Sequence, residues 1–304
     1  LQQGAVMEEG DAKTVLAKPN SDYTKKLISS KPPVRGPRAP LAVDSAEPYQ
    51  INILEDPILE VRGIRKKFIT NRNIFGKPIA YFEAVKGVSF TLNRGESIGI
   101  VGESGCGKST VSKMIIGLEK PDEGAITFRD GRPPIQLVFQ DPYASLNPRL
   151  TVRQMLREAL LTAGSVQERE VPQQIQKLLN EVGLSSDSQE RYPHSFSGGQ
   201  RQRLVIARAL AANPSILILD ESVAALDVSV QAQVLNLLFQ IRLDRGLSYI
   251  FISHDLHVVR HMCERVVVME KGEIVEEGSS DAVLQQPQHP YTRRLLNSIY
   301  SLNQ

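Results

Sequence analysis

Cysteine is nearly absent from this chain. Its 304 residues hold two, Cys106 and Cys263. That rules out a disulfide framework, offers no metal-site spacing and suits a reducing compartment. Charge of one sign is lacking too. Against 36 Lys and Arg stand 34 Asp and Glu, a net charge of +2, so no overall field draws the protein to nucleic acid or to an anionic membrane. The one basic run, Arg62 to Lys67, is short and reads as a solvated face. No apolar stretch approaches the roughly 20 residues that span a bilayer, and no secretory leader pattern is present. The sequence opens at Leu1 rather than at a methionine, which raises the expectation of a trimmed or partial chain. What is present is an ordinary apolar fraction, 41%, sufficient for one large domain or two ordinary ones.

The most informative stretch is Ser97-Ile98-Gly99-Ile100-Val101 followed by GESGCGKST, Gly102 to Thr110. A short apolar run feeds a glycine-rich turn, and a helix-forming segment follows at once. The spacing G-x-x-x-x-G-K-S fits Gly102, Gly107, Lys108 and Ser109. Small residues let successive backbone N–H groups curl around a phosphate, and the new helix aims its positive end at the same point. Lys108 supplies a point charge for the β- and γ-phosphates, and the Ser109 hydroxyl can ligate Mg²⁺. This pattern implies a bound nucleoside triphosphate.

Two further elements suit the same chemistry. Ile216-Leu217-Ile218-Leu219 reads as a central strand that delivers Asp220 and Glu221 to the crevice where α/β sheets bind ligands. There Asp220 serves the metal shell, and Glu221 is placed to polarise a water for in-line attack. The stretch Phe196-Ser197-Gly198-Gly199-Gln200 opens a helical segment, with Ser197 a good N-cap and the glycines exposing helical N–H groups. This second anion-binding terminus serves either a second phosphate on the same chain or nucleotide held by another subunit.

Strands alternating with helices argue a parallel, helix-covered sheet. The block between Gln140 and Ser197 is too long for an ordinary connection and is expected to form a helical subdomain, its helical period over Val152 to Leu184 interrupted at Gly164 and Pro172. A search for repeats aligns Gly4–Ser30 without a gap on Gly272–Ser298. Glu8-Glu9-Gly10 falls on Glu276-Glu277-Gly278, Pro19 on Pro287, and Tyr23-Thr24 on Tyr291-Thr292. Residues 1–30 therefore read as the tail of a preceding cassette that is not part of this sequence. Residues 31–57, rich in proline, read as an extended linker.

In order and spacing, these motifs resemble the ATPase subunit of ATP-binding cassette (ABC) transporters over about Ile58 to Tyr291. The resemblance implies an α/β fold, with a RecA-like P-loop core, an antiparallel β subdomain and an inserted α-helical subdomain. The ATPase domain would span 58–290, its helical subdomain about 141–206, and a C-terminal tail 291–304. ATP and Mg²⁺ are the implied cofactors. Gly102, Glu103, Ser104, Gly105, Cys106, Gly107, Lys108, Ser109 and Thr110 match the phosphate loop, Ser109, Gln140 and Asp220 the metal site, and Glu221 the general base. Gln140 in Val138-Phe139-Gln140-Asp141-Pro142 matches the glutamine that senses nucleotide and contacts membrane subunits. Asp227 in Ala225-Leu226-Asp227 matches the D-loop, and His254 the switch histidine at the γ-phosphate. Ser197, Gly198, Gly199 and Gln200 match the signature that closes on a partner's nucleotide. Phe68 matches the aromatic that stacks on adenine, although Tyr81 and Phe82 lie nearer the loop in sequence.

Three segments narrow the resemblance to the ATPases of dipeptide and oligopeptide importers: Val138 to Arg149, Arg191-Tyr192-Pro193-His194 and His289-Pro290-Tyr291-Thr292. Some relatives in that group fuse two cassettes, as in the microcin C/oligopeptide and glutathione importers, and the duplicated tail fits this chain as the second. The implied partners are transmembrane permease subunits and a second cassette (an N-terminal half or another copy), with a solute-binding protein acting indirectly. The implied location is the cytoplasmic face of the cell membrane. Some family members carry a C-terminal cysteine cluster; this tail has none. Ser222 stands where proline is usual after the base, which leaves that loop freer, while Ala224 replaces a serine and Ser195 a glutamate. Two rivals remain. A cassette ATPase acting on ribosomes or DNA is disfavoured by the short proline-rich linker and neutral charge, and a purely regulatory nucleotide module by the intact Asp220-Glu221 pair.

Overall fold

The computed structural model describes residues 5–32, 39–42, 53, 55–73, 75, 78–164 and 166–301. Most of the expected linker 31–57, and part of the expected polar loop 70–77, lie outside them.

Two sheets organise the chain. The strands are β1 (Pro57–Arg72), β2 (Pro78–Asn93), β3 (Ser97–Val101), β4 (Glu123–Phe128), β5 (Ile135–Val138), β6 (Ile216–Asp220), β7 (Ser248–Ile252), β8 (Arg265–Glu270) and β9 (Glu273–Ser279). An antiparallel sheet has the order β2-β1-β4, and a larger sheet runs β5-β6-β7-β3-β8-β9. The large sheet is parallel from β5 to β8 and takes β9 antiparallel at its edge. Its central strands are buried end to end, Ser-Ile-Gly-Ile-Val in β3 and Ser-Tyr-Ile-Phe-Ile in β7, because helices pack on one face and the antiparallel sheet with one helix on the other.

Among the described residues, α-helices accompany the sheets: α1 (Ala12–Ala17), α2 (Asp22–Ser29), α3 (Lys108–Ile116), α4 (Pro142–Ser145), α5 (Val152–Thr162), α6 (Val171–Glu181), α7 (Gly198–Ala211), α8 (Val228–Arg245), α9 (Leu256–Met262), α10 (Ser280–Gln285) and α11 (Pro290–Ser301). Among the described residues the chain between β5 and β6 forms helices and turns and no strand, so the long insert is helical as its period predicts. Pro172 sits in the first turn of α6, where its missing N–H has no intrahelical partner to lose. It therefore starts a helix rather than interrupting one. Helix α7 runs unbroken through residue 206 to Ala211, so no break in the chain marks the expected end of the insert. The tail boundary expected at residue 290 falls on the first residue of α11, and Tyr291 and Leu296 of that helix are buried. No described helix is long and apolar enough to cross a membrane.

The duplicated segments fold alike. Helix α1 lies 268 positions before α10, and α2 begins 268 before α11. In the first copy the Glu8 carboxylate accepts from the Asn20 and Ser21 amides at 2.8 and 3.2 Å. In the second, Glu276 accepts from Gln288 and His289 at 2.8 and 3.1 Å. Helix α2 of the first copy packs on α8, and in the segment that follows it Asn236 of α8 takes the N–H and C=O of Leu41 at 2.8 and 2.9 Å, with Leu41 buried in the main core.

Candidate active site

Parallel pairing places the motif loops along one edge. Ile100 of β3 and Asp220 of β6 both pair with Ile252 of β7, and Val138 of β5 pairs with Leu219. The residues that follow these strands (Gly102 onward, Gln140, Glu221 and His254) therefore leave the sheet at the same carboxyl-terminal side, where open α/β sheets take their ligands.

The phosphate loop runs from this edge into α3. Gly107 holds φ +110° as its N-cap, with no side chain on the first helical N–H groups. A Cβ at Gly107 would meet Ala84 O at 2.4 Å, and one at Gly102 would meet Met269 O at 2.2 Å; only glycine fits either place. Lys108 is buried, and its Nζ donates to Gly102 O at 2.7 Å and Glu103 O at 2.9 Å. The Ser109 hydroxyl hydrogen-bonds the Asp220 carboxylate, whose pKa is raised chiefly by burial and further by Glu221. Thus the sequence-predicted metal residues Ser109 and Asp220 meet, and they present hard oxygen donors of the kind Mg²⁺ takes.

Glu221 occupies the left-handed region at φ +49°, an uncommon place for a non-glycine side chain. Its N–H donates to Ile252 O at 2.9 Å, and Ala224 N–H donates to Glu221 O at 3.1 Å. Ser222 beside it is buried. The turn after Glu221 is closed and packed, not freed by the missing proline. His254 Nδ1 lies 3.5 Å from Glu221 Oε2.

A cavity of about 290 Å³ joins these groups. Its walls are Phe68, Phe82, Ala84, Ser104, Gly105, Gly107, Lys108, Ser109, Thr110 and Glu221. Phe68 and Phe82 are register partners across β1 and β2, so the candidate adenine platform is a pair rather than Phe68 alone. Proximity in sequence already set Phe82 beside Phe68 as a candidate; the antiparallel register brings the two together.

The signature lies elsewhere. Ser197 caps α7 in a capping box, its Oγ accepting from Gln200 N–H at 3.4 Å and its N–H donating to Gln200 Oε1 at 3.1 Å. A Cβ on Gly199 would fall 2.2 Å from Val230 Cγ1, so this glycine allows α7 and α8 to abut. Asp227 caps α8, accepting from Val230 N–H and the Ser229 hydroxyl. None of Ser197, Gly198, Gly199, Gln200 or Asp227 lines the loop cavity. Gln140 is exposed beyond β5.

The comparisons agree with this geometry. The family model "ABC transporter" matches residues 85–224. An oligopeptide transport ATP-binding protein, AppF of Bacillus subtilis, is 47% identical over 259 residues, 81% of this chain and 79% of that protein. This chain is an ABC transporter ATPase cassette. A second family model, "Oligopeptide/dipeptide transporter, C-terminal region", matches it twice, at 7–56 and 275–304. The glutathione import ATP-binding protein GsiA of Salmonella typhimurium is 40% identical over 326 residues, 98% of this cassette but 52% of that protein; the cassette spans about half of that relative's length. Among solved structures, cbiO1 of Clostridium perfringens, part of the ABC transporter complex cbiONQ, superposes with TM-score 0.65 at 28% identity, over 82% of this chain and 99% of that one. A dimeric cassette in a post-hydrolysis state with ADP and Pi gives 0.62 at 26%, over 73% and 98%.

Proposed function

We propose that this cassette hydrolyses ATP to drive import of peptides or peptide-like solutes. It does so at the cytoplasmic face of the membrane, with permease subunits, a second cassette and, indirectly, a solute-binding protein. The observation that carries the catalytic part is the convergence of Lys108, Ser109, Asp220, Glu221 and His254 on one edge of the sheet. The names of the relatives and the twofold match to the oligopeptide/dipeptide C-terminal region support the solute class and the reading as the second half of a tandem protein.

In this reading the phosphate-loop amides and Lys108 bind the β- and γ-phosphates. Ser109 and Asp220, with Gln140 alongside, would hold Mg²⁺, which would supply charge neutralisation for the phosphates. Among the described residues no group of three or more His, Cys, Asp or Glu forms a metal cage, and Mg²⁺, which keeps waters and phosphate oxygens, needs only one or two carboxylates. Glu221 accepts a proton from the attacking water, and His254 contacts the γ-phosphate. Phe68 with Phe82 receives the base. Ser197, Gly198, Gly199, Gln200 and Asp227 serve the nucleotide of the opposing cassette. Pull-down of the full-length protein from membranes tests the assignment: co-purifying permeases support it, while ribosomes or nucleic acid in their place would favour the non-transport rival.

A further inference from the structure

The C-terminal tail reaches back to the phosphate loop. Tyr291, on the first turn of α11, is 3% exposed, and its hydroxyl accepts a hydrogen bond from the Glu103 backbone N–H at 2.9 Å. That amide belongs to the second residue of the phosphate loop. Tyr291 also lines a cavity of about 430 Å³ together with Phe82 and the loop residues Glu103 to Cys106.

The hydroxyl is held in place from both directions. Glu276 on β9 clamps the Gln288 and His289 amides just before α11, and Tyr291 N–H donates to His289 Nδ1 at 3.2 Å. The strand bearing Glu276 is itself tied to the loop, because Gly272 at its start donates to Cys106 O at 3.0 Å and accepts from Lys86 N–H at 2.8 Å. The loop is thus gripped at Glu103 by the helix and at Cys106 by the turn before β9. Between these two grips lie Ser104 and Gly105, both exposed, the latter at φ +82°.

We propose that Tyr291 is a positioning residue for nucleotide binding, through which the C-terminal tail holds the phosphate loop in its receiving conformation. The proposal rests on the assignment of this loop to ATP. A preorganised loop loses less conformational freedom when the phosphates arrive. The tail therefore acts on affinity, and the attack step at Glu221 is left alone.

Tyr291→Phe in the full chain removes the acceptor and keeps the ring. The expected result is a KM for ATP about two- to tenfold higher, the range one hydrogen bond supports, with kcat and Tm unchanged. Hydrogen exchange at the Glu103 amide should accelerate in the same variant, a change that a merely structural role for the ring does not produce. An unchanged KM with unchanged exchange overturns the proposal alone. A lower kcat at constant KM also overturns it. A wild-type chain that binds no ATP overturns the nucleotide assignment and the proposal together.

Discussion

His254 Nδ1 lies 3.5 Å from Glu221 Oε2, joining the loop after β7 to the end of β6. The contact orients a carboxylate whose backbone already sits in a left-handed conformation. On the proposed reading this carboxylate is a base that acts through its proton affinity, and an amide of the same shape has none. Glu221→Gln should keep ATP binding and lower kcat by about 10²- to 10⁴-fold. Wild-type turnover in that variant, measured by phosphate release, would remove Glu221 from the base role.

Lys108 is expected to behave differently. Its ammonium is buried against two loop carbonyls, and on the proposed reading it donates to phosphate once ATP is bound. Lys108→Ala should weaken ATP affinity itself by about tenfold or more, the scale of a charge-assisted hydrogen bond. Calorimetry showing wild-type affinity would contradict this.

Burial raises the Asp220 pKa above the ordinary 3.8, and Glu221 adds to the rise while Ser109 and Lys108 oppose it. A carboxyl that holds its proton more tightly folded than unfolded contributes stability below the unfolded value and loses it as pH rises through the folded one. Asp220→Asn removes that loss. Without nucleotide or metal, the variant should be more stable than wild type at pH 7, the difference closing toward pH 4, while Mg²⁺-dependent hydrolysis is abolished. Urea titrations across this range check the sign; a wild type that gains on the variant as pH rises would refute it.

These sites were legible in the sequence because each is local. Gly102–Thr110, Ile216–Glu221 and Ser197–Gln200 each carry a complete strand end, turn or cap within a few residues. Elements defined by partners were not. Strand β9, Glu-Ile-Val-Glu-Glu-Gly-Ser, is charged and half-exposed at an edge, so its pairing with β8 leaves no buried alternation to read. Helix α9 is buried on every side and so lacks the amphipathic period that marks a helix. The Phe68–Phe82 pair and the Tyr291–Glu103 bond depend on register and on a contact spanning most of the chain; neither has a sequence signal of its own.

The first tail copy should be separable from nucleotide binding. Helix α2 packs on α8, no residue of the copy lines the loop cavity, and the segment after it is clamped where Asn236 holds Leu41. Removing residues 1–30 should leave ATP affinity unchanged, and a drop of tenfold, about 1.4 kcal/mol, would show the segment acting on the site. Asn236→Ala should instead lower stability by about 1–3 kcal/mol, since it strips two hydrogen bonds from the Leu41 backbone. An unchanged denaturation midpoint would show that the clamp is idle.

The position of the signature leads to a last expectation, about catalysis by this chain without a preceding half. Ser197, Gly198, Gly199 and Gln200 stand outside the cavity that Lys108 and Glu221 line. On the proposed reading Lys108 and Ser197 of one chain therefore serve different nucleotides, and each site is completed across a cassette pair. In a tandem protein the linker holds the partner at an effective concentration of order millimolar. On the tandem reading, this chain on its own, residues 1–304, has only a second copy to pair with. It should be mostly monomeric without nucleotide, and its ATPase rate per mole should rise with protein concentration in the micromolar range, well below that effective concentration. Glu221→Gln with ATP should shift the population toward dimer, since the pair closes on a nucleotide it does not cleave. Light scattering and turnover measured over a hundredfold dilution, on the order of two decades around that range, decide the matter: a flat rate per mole from a chain monomeric throughout would mean that one cassette completes its own site.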